Sequence, residues 1–168
     1  MTIKVGDPLP EGTLYEFIEV EGNGCTVGPN AFKVQDLAKG KKVAIFGLPG
    51  AFTPTCSAKH VPSYLQNLDK LKAMGVDEVW CLAVNDAFVM HAWALEQKAQ
   101  GRIRFLADGS ADYAKKLGLE LDLNARGMGM RMQRHSMLVD DGVVKQLNVE
   151  APGKYEVSDA ETMLKQTA

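Results

Sequence analysis

Three cysteines stand in the chain, Cys25, Cys56 and Cys81, and no two of them form a CxxC pair. The reactive form of such a side chain is the thiolate, yet a cysteine in water, with a pKa of about 8.5, is only about 3% ionised at neutral pH. Surroundings therefore decide which thiol can react. Cys56 follows an apolar, β-rich run, KVAIFGL from Lys42 to Leu48, and a Pro49–Gly50 turn. Beyond it Val61, Tyr64, Leu65, Leu68 and Leu71 recur at three- and four-residue spacing, the pattern of an amphipathic helix. Thr53 suits the N-cap of that helix and Pro54 its first position. Cys56 thus falls in the first turn, where unpaired N–H groups and the helix dipole favour an anion. That placement predicts an activated nucleophile, and a small buried hydrophobe would suit the same position.

Other chemistry-bearing residues are fewer. His60 lies four residues after Cys56 on the same helical face, where it would serve as a base, as a cation beside the thiol, or as a hydrogen-bonded packing residue. The packing role is the expected one. Arg126, Arg131 and Arg134 all lie within reach in sequence, and charge alone does not choose among them. Three dispersed histidines give no zinc-ligand spacing, so no metal is expected. A C-x5-R phosphatase is excluded because Pro62 stands where the arginine belongs, and the missing CxxC counts against a disulfide reductase.

The elements that must position these residues alternate. The first forty residues predict a hairpin, with a strand from Glu16 to Glu21 and a turn at Glu21–Gly24. The Cys56 helix should be kinked at Pro62 and closed by Gly75. Strands are expected over Glu78–Val84 and Ile103–Leu106, and helices over Phe88–Gln100 and Asp112–Leu117. His135–Val139, Asp141–Gly142 and Val143–Val149 read as a hairpin. A last helix runs from Ser158 to Lys165, with Ser158 and Glu161 as a capping box. This order fits one domain over residues 1–168, a thioredoxin-like α/β sandwich with a central mixed β-sheet flanked by helices.

The run Pro49–Gly50–Ala51–Phe52–Thr53–Pro54–Thr55–Cys56 resembles the PxxxTxxC signature of peroxiredoxins, in the PGAFTPTCS wording of the type II (peroxiredoxin-5-like) subfamily. Further matches are Lys59–Pro62, Val84–Val89, Phe105–Asp108, Arg134–Met137, Asp141–Val144 and Leu147–Glu150. The resemblance implies a thiol-dependent peroxidase acting on hydrogen peroxide and alkyl hydroperoxides. Cys56 matches the peroxidatic cysteine, which becomes a sulfenic acid. Thr53 matches the residue that orients peroxide, Arg134 the arginine beside the thiolate, and Pro49 the proline that shields it from water. Cys81 matches a position that some relatives have been read as using for resolution and that others keep buried. A strand residue facing away from the helix start would need local unfolding to reach Cys56, so an inert Cys81 is expected. Cys25, in a Gly-rich turn, is expected to be incidental. The implied cycle uses one cysteine of the chain, no bound cofactor, and glutathione, glutaredoxin or thioredoxin as external reductant. A homodimer with the active site close to its interface is implied, and Phe52, Phe88, Leu119–Leu123, Met128 and Met130 would either give apolar surface near the pocket or belong to the core. The alternative is a peroxide sensor or redox-regulated holdase using the same cysteine.

Composition agrees with this reading. The 168 residues carry nineteen basic and twenty-one acidic side chains, a formal charge of −2, which offers no footprint for nucleic acid or anionic lipid. No apolar run approaches the roughly 20 residues of a membrane span. The N-terminus lacks a secretory pattern, so a cytoplasmic protein is expected.

Overall fold

The apolar run after Lys41 becomes the strand on which the molecule is organised. In the computed structural model, which describes residues 1–18 and 27–167, β1 (Thr13–Ile18) and β2 (Val27–Lys33) form the N-terminal hairpin, followed by the short α1 (Val34–Ala38) and then β3 (Lys42–Gly47). The expected strand beyond Ile18, the Glu21–Gly24 turn and Cys25 lie outside the described residues. After β3 the chain passes Pro49–Gly50, enters a π-helical turn (Cys56–His60), and continues as α2 (Val61–Gln66) and α3 (Leu68–Ala73). Then come β4 (Glu78–Ala83), α4 (Ala87–Glu96), β5 (Arg104–Ala107), α5 (Asp112–Leu117), β6 (Glu120–Leu123), β7 (Gly129–Met132), β8 (His135–Asp140), β9 (Val143–Val149) and α6 (Ala160–Thr167).

Seven strands pair in the order β2-β1-β5-β4-β3-β8-β9. β3, β4 and β5 run parallel, and β8 lies antiparallel to β3. Successive β3 side chains point to opposite faces, which makes two cores. Ala44 and Phe46 join Val61 and Tyr64 of α2, Leu68 and Leu71 of α3, Met90 and Trp93 of α4, and Met163 of α6. Val43 and Ile45 join Leu37 of α1 and Tyr113 and Leu117 of α5 on the other side. The mixed-sheet sandwich is as expected.

The structure departs from the sequence reading in several places. α4 ends at Glu96, not Gln100, because Lys98 takes a left-handed backbone (φ 57°) that no helix continues through. The cap of α6 is Asp159: its carboxylate accepts from the Thr162 amide (3.2 Å) and hydroxyl (2.6 Å). Ser158 instead gives its hydroxyl to Glu150 (2.7 Å), so the capping box is misplaced by one residue. The β6–β7 ribbon is an element the sequence reading did not contain; its four-residue strands are too short to register as an alternation.

The bend foreseen at Pro62 takes the form of the π turn. Val61 N–H bonds the Cys56 carbonyl, five residues back, so the helix widens immediately before the residue that lacks an N–H. Gly75 closes α3 as foreseen, with φ 93° and the paired bonds Val76 N–H to Leu71 O and Gly75 N–H to Lys72 O.

Candidate active site

Register brings the site together. Gly47 at the end of β3 pairs with His135 at the start of β8. Arg134 therefore leaves the sheet beside the point where the chain departs from β3 toward Cys56. Only glycine fits at position 47, since a Cβ there would run into the His135 ring and the Met132 sulfur.

Cys56 is fully buried at the head of the π turn. Arg134 Nη2 donates to its sulfur at 3.2 Å, and Arg134 Nη1 lies 2.9 Å from His60 Nδ1. An arginine can only donate, so Nδ1 is the acceptor and the His60 proton sits on Nε2. That Nε2–H donates to the Ser158 carbonyl at 3.0 Å, which also accepts from the Tyr64 hydroxyl at 2.9 Å. Burial and then the adjacent guanidinium push the His60 pKa down to about 3. His60 is thus neutral at physiological pH and fixes the arginine, which agrees with the packing role over the base.

The loop before Cys56 is clamped at three points. Thr53 Oγ1 donates to the Gly50 carbonyl (2.7 Å), Ala51 N–H to Asn85 Oδ1 (2.9 Å), and Arg131 Nη1 to the Pro49 carbonyl (3.4 Å). At Gly50 a Cβ would lie 2.7 Å from Arg131 Nη1, so a side chain there would push that guanidinium off the Pro49 carbonyl. Thr53 precedes the helix, as an N-cap would, and the Ser57 amide bonds its carbonyl at 2.9 Å, but its hydroxyl points back into the loop.

A cleft of about 460 Å³ opens beside this centre, lined by Pro49, Arg134, Lys59, Glu150, Lys154 and Tyr155 among others. Tyr155 covers the inner end. Its ring meets His60 edge-on at 5.2 Å, lies under the Arg134 guanidinium at 5.9 Å, and its hydroxyl donates to the Lys59 carbonyl at 3.3 Å.

Residues 4–164 match the model of the redoxin family. Peroxiredoxin-2B of Arabidopsis thaliana is 47% identical over 97% of each chain. Reduced Prx3 of Vibrio vulnificus in complex with hydrogen peroxide superposes with a TM-score of 0.90 at 48% identity, covering 99% of this chain and 100% of that one. Peroxiredoxin 5 of Alvinella pompejana follows at 33% identity, with coverage of 98% and 97% and a TM-score of 0.84. The chain belongs to the redoxin family and is a peroxiredoxin. A Burkholderia cenocepacia structure named as a thioredoxin reductase is also similar (57% identity, 98% of each chain, TM-score 0.93), although this peroxiredoxin has no CxxC pair.

As a peroxiredoxin it is a thiol-dependent peroxidase with a thioredoxin-like fold. Of the residues singled out in the sequence, Cys56 and Arg134 are in direct contact, with Thr53 and Pro49 in the loop that closes on them. Arg131 serves that loop and does not reach the sulfur, while Arg126 ends an exposed 3-10 turn. Cys81 does not face away from the helix start. It pairs with Phe46 across the sheet and sits in the same core as Cys56 and Val61. Burial, then the nearby Cys56, push its thiol well above the usual range, and Arg134 opposes them. Asn85 and Tyr155 received no role from the sequence, and Ser158 was read there as a helix cap, not as the carbonyl that holds His60. Asn85 and Glu150 lay inside matched stretches, whereas nothing near Tyr155 marks it and the capping-box spacing at Ser158 points to a different role, because their partners at the site are distant in sequence.

Proposed function

We propose that Cys56 is the peroxidatic nucleophile of this peroxiredoxin, with Arg134, Thr53 and Pro49 completing the site. The observation that carries this is the Arg134 Nη2–Cys56 Sγ contact at 3.2 Å with the sulfur fully buried. A guanidinium donor stabilises sulfur as the thiolate, and its remaining N–H groups can follow charge as it moves to peroxide oxygen. The Thr53 proton is committed to the Gly50 carbonyl, so the hydroxyl oxygen is left to accept from the peroxide O–H. The thiolate attacks the nearer oxygen and the O–O bond breaks. The departing oxygen takes a proton and leaves as water or an alcohol, and Cys56 becomes a sulfenic acid. Pro49, on the rim of the cleft, keeps bulk water from the sulfur.

Resolution uses an external thiol: the sulfenic acid condenses with RSH to a mixed disulfide and water, and a second thiol releases Cys56. Full burial of Cys81, with its thiol held protonated, supports its being inert in this cycle, and no resident cofactor is needed. Glutathione with glutaredoxin, or thioredoxin, supplies the electrons. Among the described residues the thiols of Cys56 and Cys81 are unpaired, which suits the reducing cytoplasm. The homodimer reading draws support from Phe52 and Phe88, 53% and 54% exposed next to the active-site loop. Phe52 is held there in a left-handed conformation (φ 62°).

The test mixes reduced protein with one equivalent of hydrogen peroxide and follows Cys56 by mass spectrometry, with and without glutathione. Rapid oxidation, and a glutathione adduct on Cys56, are expected. Oxidation no faster than that of free cysteine defeats the assignment, and an internal Cys56–Cys81 disulfide defeats the one-cysteine cycle. Poor steady-state turnover with both reductant systems would favour the sensor or holdase over the peroxidase cycle.

A further inference from the structure

We infer that Glu150 is a positioning residue for the active site, setting Arg134 against Cys56 from two directions at once. The inference rests on the Cys56 reading above and adds a residue on the wall of the cleft that acts on the sulfur through Arg134.

The first direction is direct. The Glu150 amide donates to the Arg134 carbonyl at 2.9 Å, extending the β8–β9 pairing by one step and holding the arginine backbone. The second runs through the side chain. Glu150 is 6% exposed, and its carboxylate gathers the loop between β9 and α6. It accepts from the amides of Glu156 (3.0 and 2.8 Å), Val157 (2.8 Å) and Ser158 (2.8 Å) and from the Ser158 hydroxyl (2.7 Å). With its amide and hydroxyl both tied, Ser158 presents its carbonyl inward, where it takes the Nε2–H of His60. His60 in turn offers Nδ1 to Arg134, whose other arm reaches Cys56. The ring of contacts closes on the residue where it began.

The consequence is chemical as well as mechanical. The Ser158 carbonyl keeps the His60 proton on Nε2. Without that acceptor the imidazole is free to place its proton on Nδ1, where it would face the guanidinium donor to donor and displace it. Arg134 would then leave the sulfur. Tyr155 lies on the same loop and packs on both Arg134 and His60, so loosening the loop also uncovers them. A carboxylate is suited to this task because both of its oxygens accept and it carries no donor, whereas an amide has one accepting oxygen and an aliphatic side chain none.

The experiment compares wild type with Glu150→Ala and Glu150→Gln, both of which leave the backbone arm in place. Two quantities are read at Cys56: the pH dependence of its alkylation, resolved by mass spectrometry, and the single-turnover rate constant with hydrogen peroxide. Expected for Glu150→Ala are an alkylation profile displaced to higher pH and a peroxide rate constant about tenfold lower, the size of one lost charge-assisted contact. Glu150→Gln, which keeps one acceptor oxygen, should fall between. Leu14→Ala, in the core on the other face of the sheet, controls for lost stability and should leave both readings at wild-type values. If Glu150→Ala melts at a lower temperature while both Cys56 readings stay at wild type, Glu150 is only structural and the inference is overturned. Should Glu150→Ala not fold, Ser158→Ala serves, since it removes one of the carboxylate bonds and leaves the carbonyl. A smaller displacement in the same direction supports the inference, and an unchanged profile overturns it. A wild-type Cys56 no more reactive than free cysteine would instead defeat the peroxidase assignment, an outcome recognisable before any variant is made.

Discussion

Arg134 holds a sulfur with one nitrogen and an imidazole with another, and this use of two arms makes it a different residue from lysine. An ammonium would keep the charge but is a point donor without a rigid fork. Arg134→Lys should therefore lower kcat/KM for hydrogen peroxide by about 10- to 100-fold, equivalent to roughly 1.5–3 kcal/mol for a charge-assisted hydrogen bond, with the protein still folded by circular dichroism. A loss under about threefold would mean that charge alone suffices. Thr53 is separable by a matched pair. Its hydroxyl is oriented by the Gly50 carbonyl, so Thr53→Ser should retain most activity, while Thr53→Val, of nearly the same shape, should lose about 100-fold. Equal losses in the two variants would assign Thr53 to packing. His60, with its pKa pushed down to about 3 by burial and by Arg134, should contribute no ionisation to the pH–rate profile between pH 5 and 8. His60→Phe is expected to lower the height of that profile without removing a limb that His60 itself would have titrated.

The elements place these residues through a few close approaches. β3 and β8 pair from Lys42–Asp140 to Gly47–His135, and the last pair fixes where Arg134 begins. Gly47→Ala forces a methyl into the His135 ring and Met132. Overpacking of this kind costs about 1–3 kcal/mol, or several degrees in Tm at about 2–4 °C per kcal/mol for a chain of this size. The same shift should also lower the peroxide rate, because Arg134 is the next residue. Unchanged kinetics in a destabilised Gly47→Ala protein would uncouple the sheet register from the site. The strands and helices that make this frame were readable because β3 is a continuous apolar run and the helix after Cys56 repeats its apolar residues. Cys56, Thr53, Pro49 and Arg134 were found through the wording around them. What the sequence did not disclose are contacts made by main-chain groups or across long loops: Ser158 acts through its carbonyl, Tyr155 through its ring from a turn with no periodicity, and the side of the sheet that Cys81 faces follows from register with Phe46. The π turn is hidden for a related reason, since a proline reports that a helix must change but not how.

At the scale of the whole molecule, two buried imidazoles couple the fold to acid. His60 is held at about 3 by burial and by Arg134, and His135 at about 4 by burial, against the donation of its Nδ1–H to the Gln133 carbonyl. Both values lie below the 6.5 of an exposed histidine. The folded protein therefore stays neutral at these sites while an unfolded chain takes up protons, and stability is lost as pH falls from about 6.5 toward the folded values. Each histidine contributes a slope of up to about 1.4 kcal/mol per pH unit. The slope is near its full value for both between pH 5.5 and 4.5, and His60 alone sustains it below pH 4. His135 offers the cleaner test, because its Nε2 is buried with no hydrogen-bond partner among the described residues and its ring makes one hydrogen bond, from Nδ1–H to the Gln133 carbonyl. His135→Phe removes that polar atom and the titration together. At pH 7 the relief of the unpartnered Nε2 offsets the lost bond to the Gln133 carbonyl, so stability there should change by no more than about 1 kcal/mol, while the acid slope should fall by about half. Denaturant unfolding of both proteins at pH 7, 6, 5 and 4.5 measures this directly. If the two curves fall in parallel, His135 takes up no proton on unfolding, and the acid sensitivity belongs to His60 and to Glu150, whose carboxyl, against the upward push of burial, is held below its ordinary value by the Ser158 hydroxyl and the loop amides.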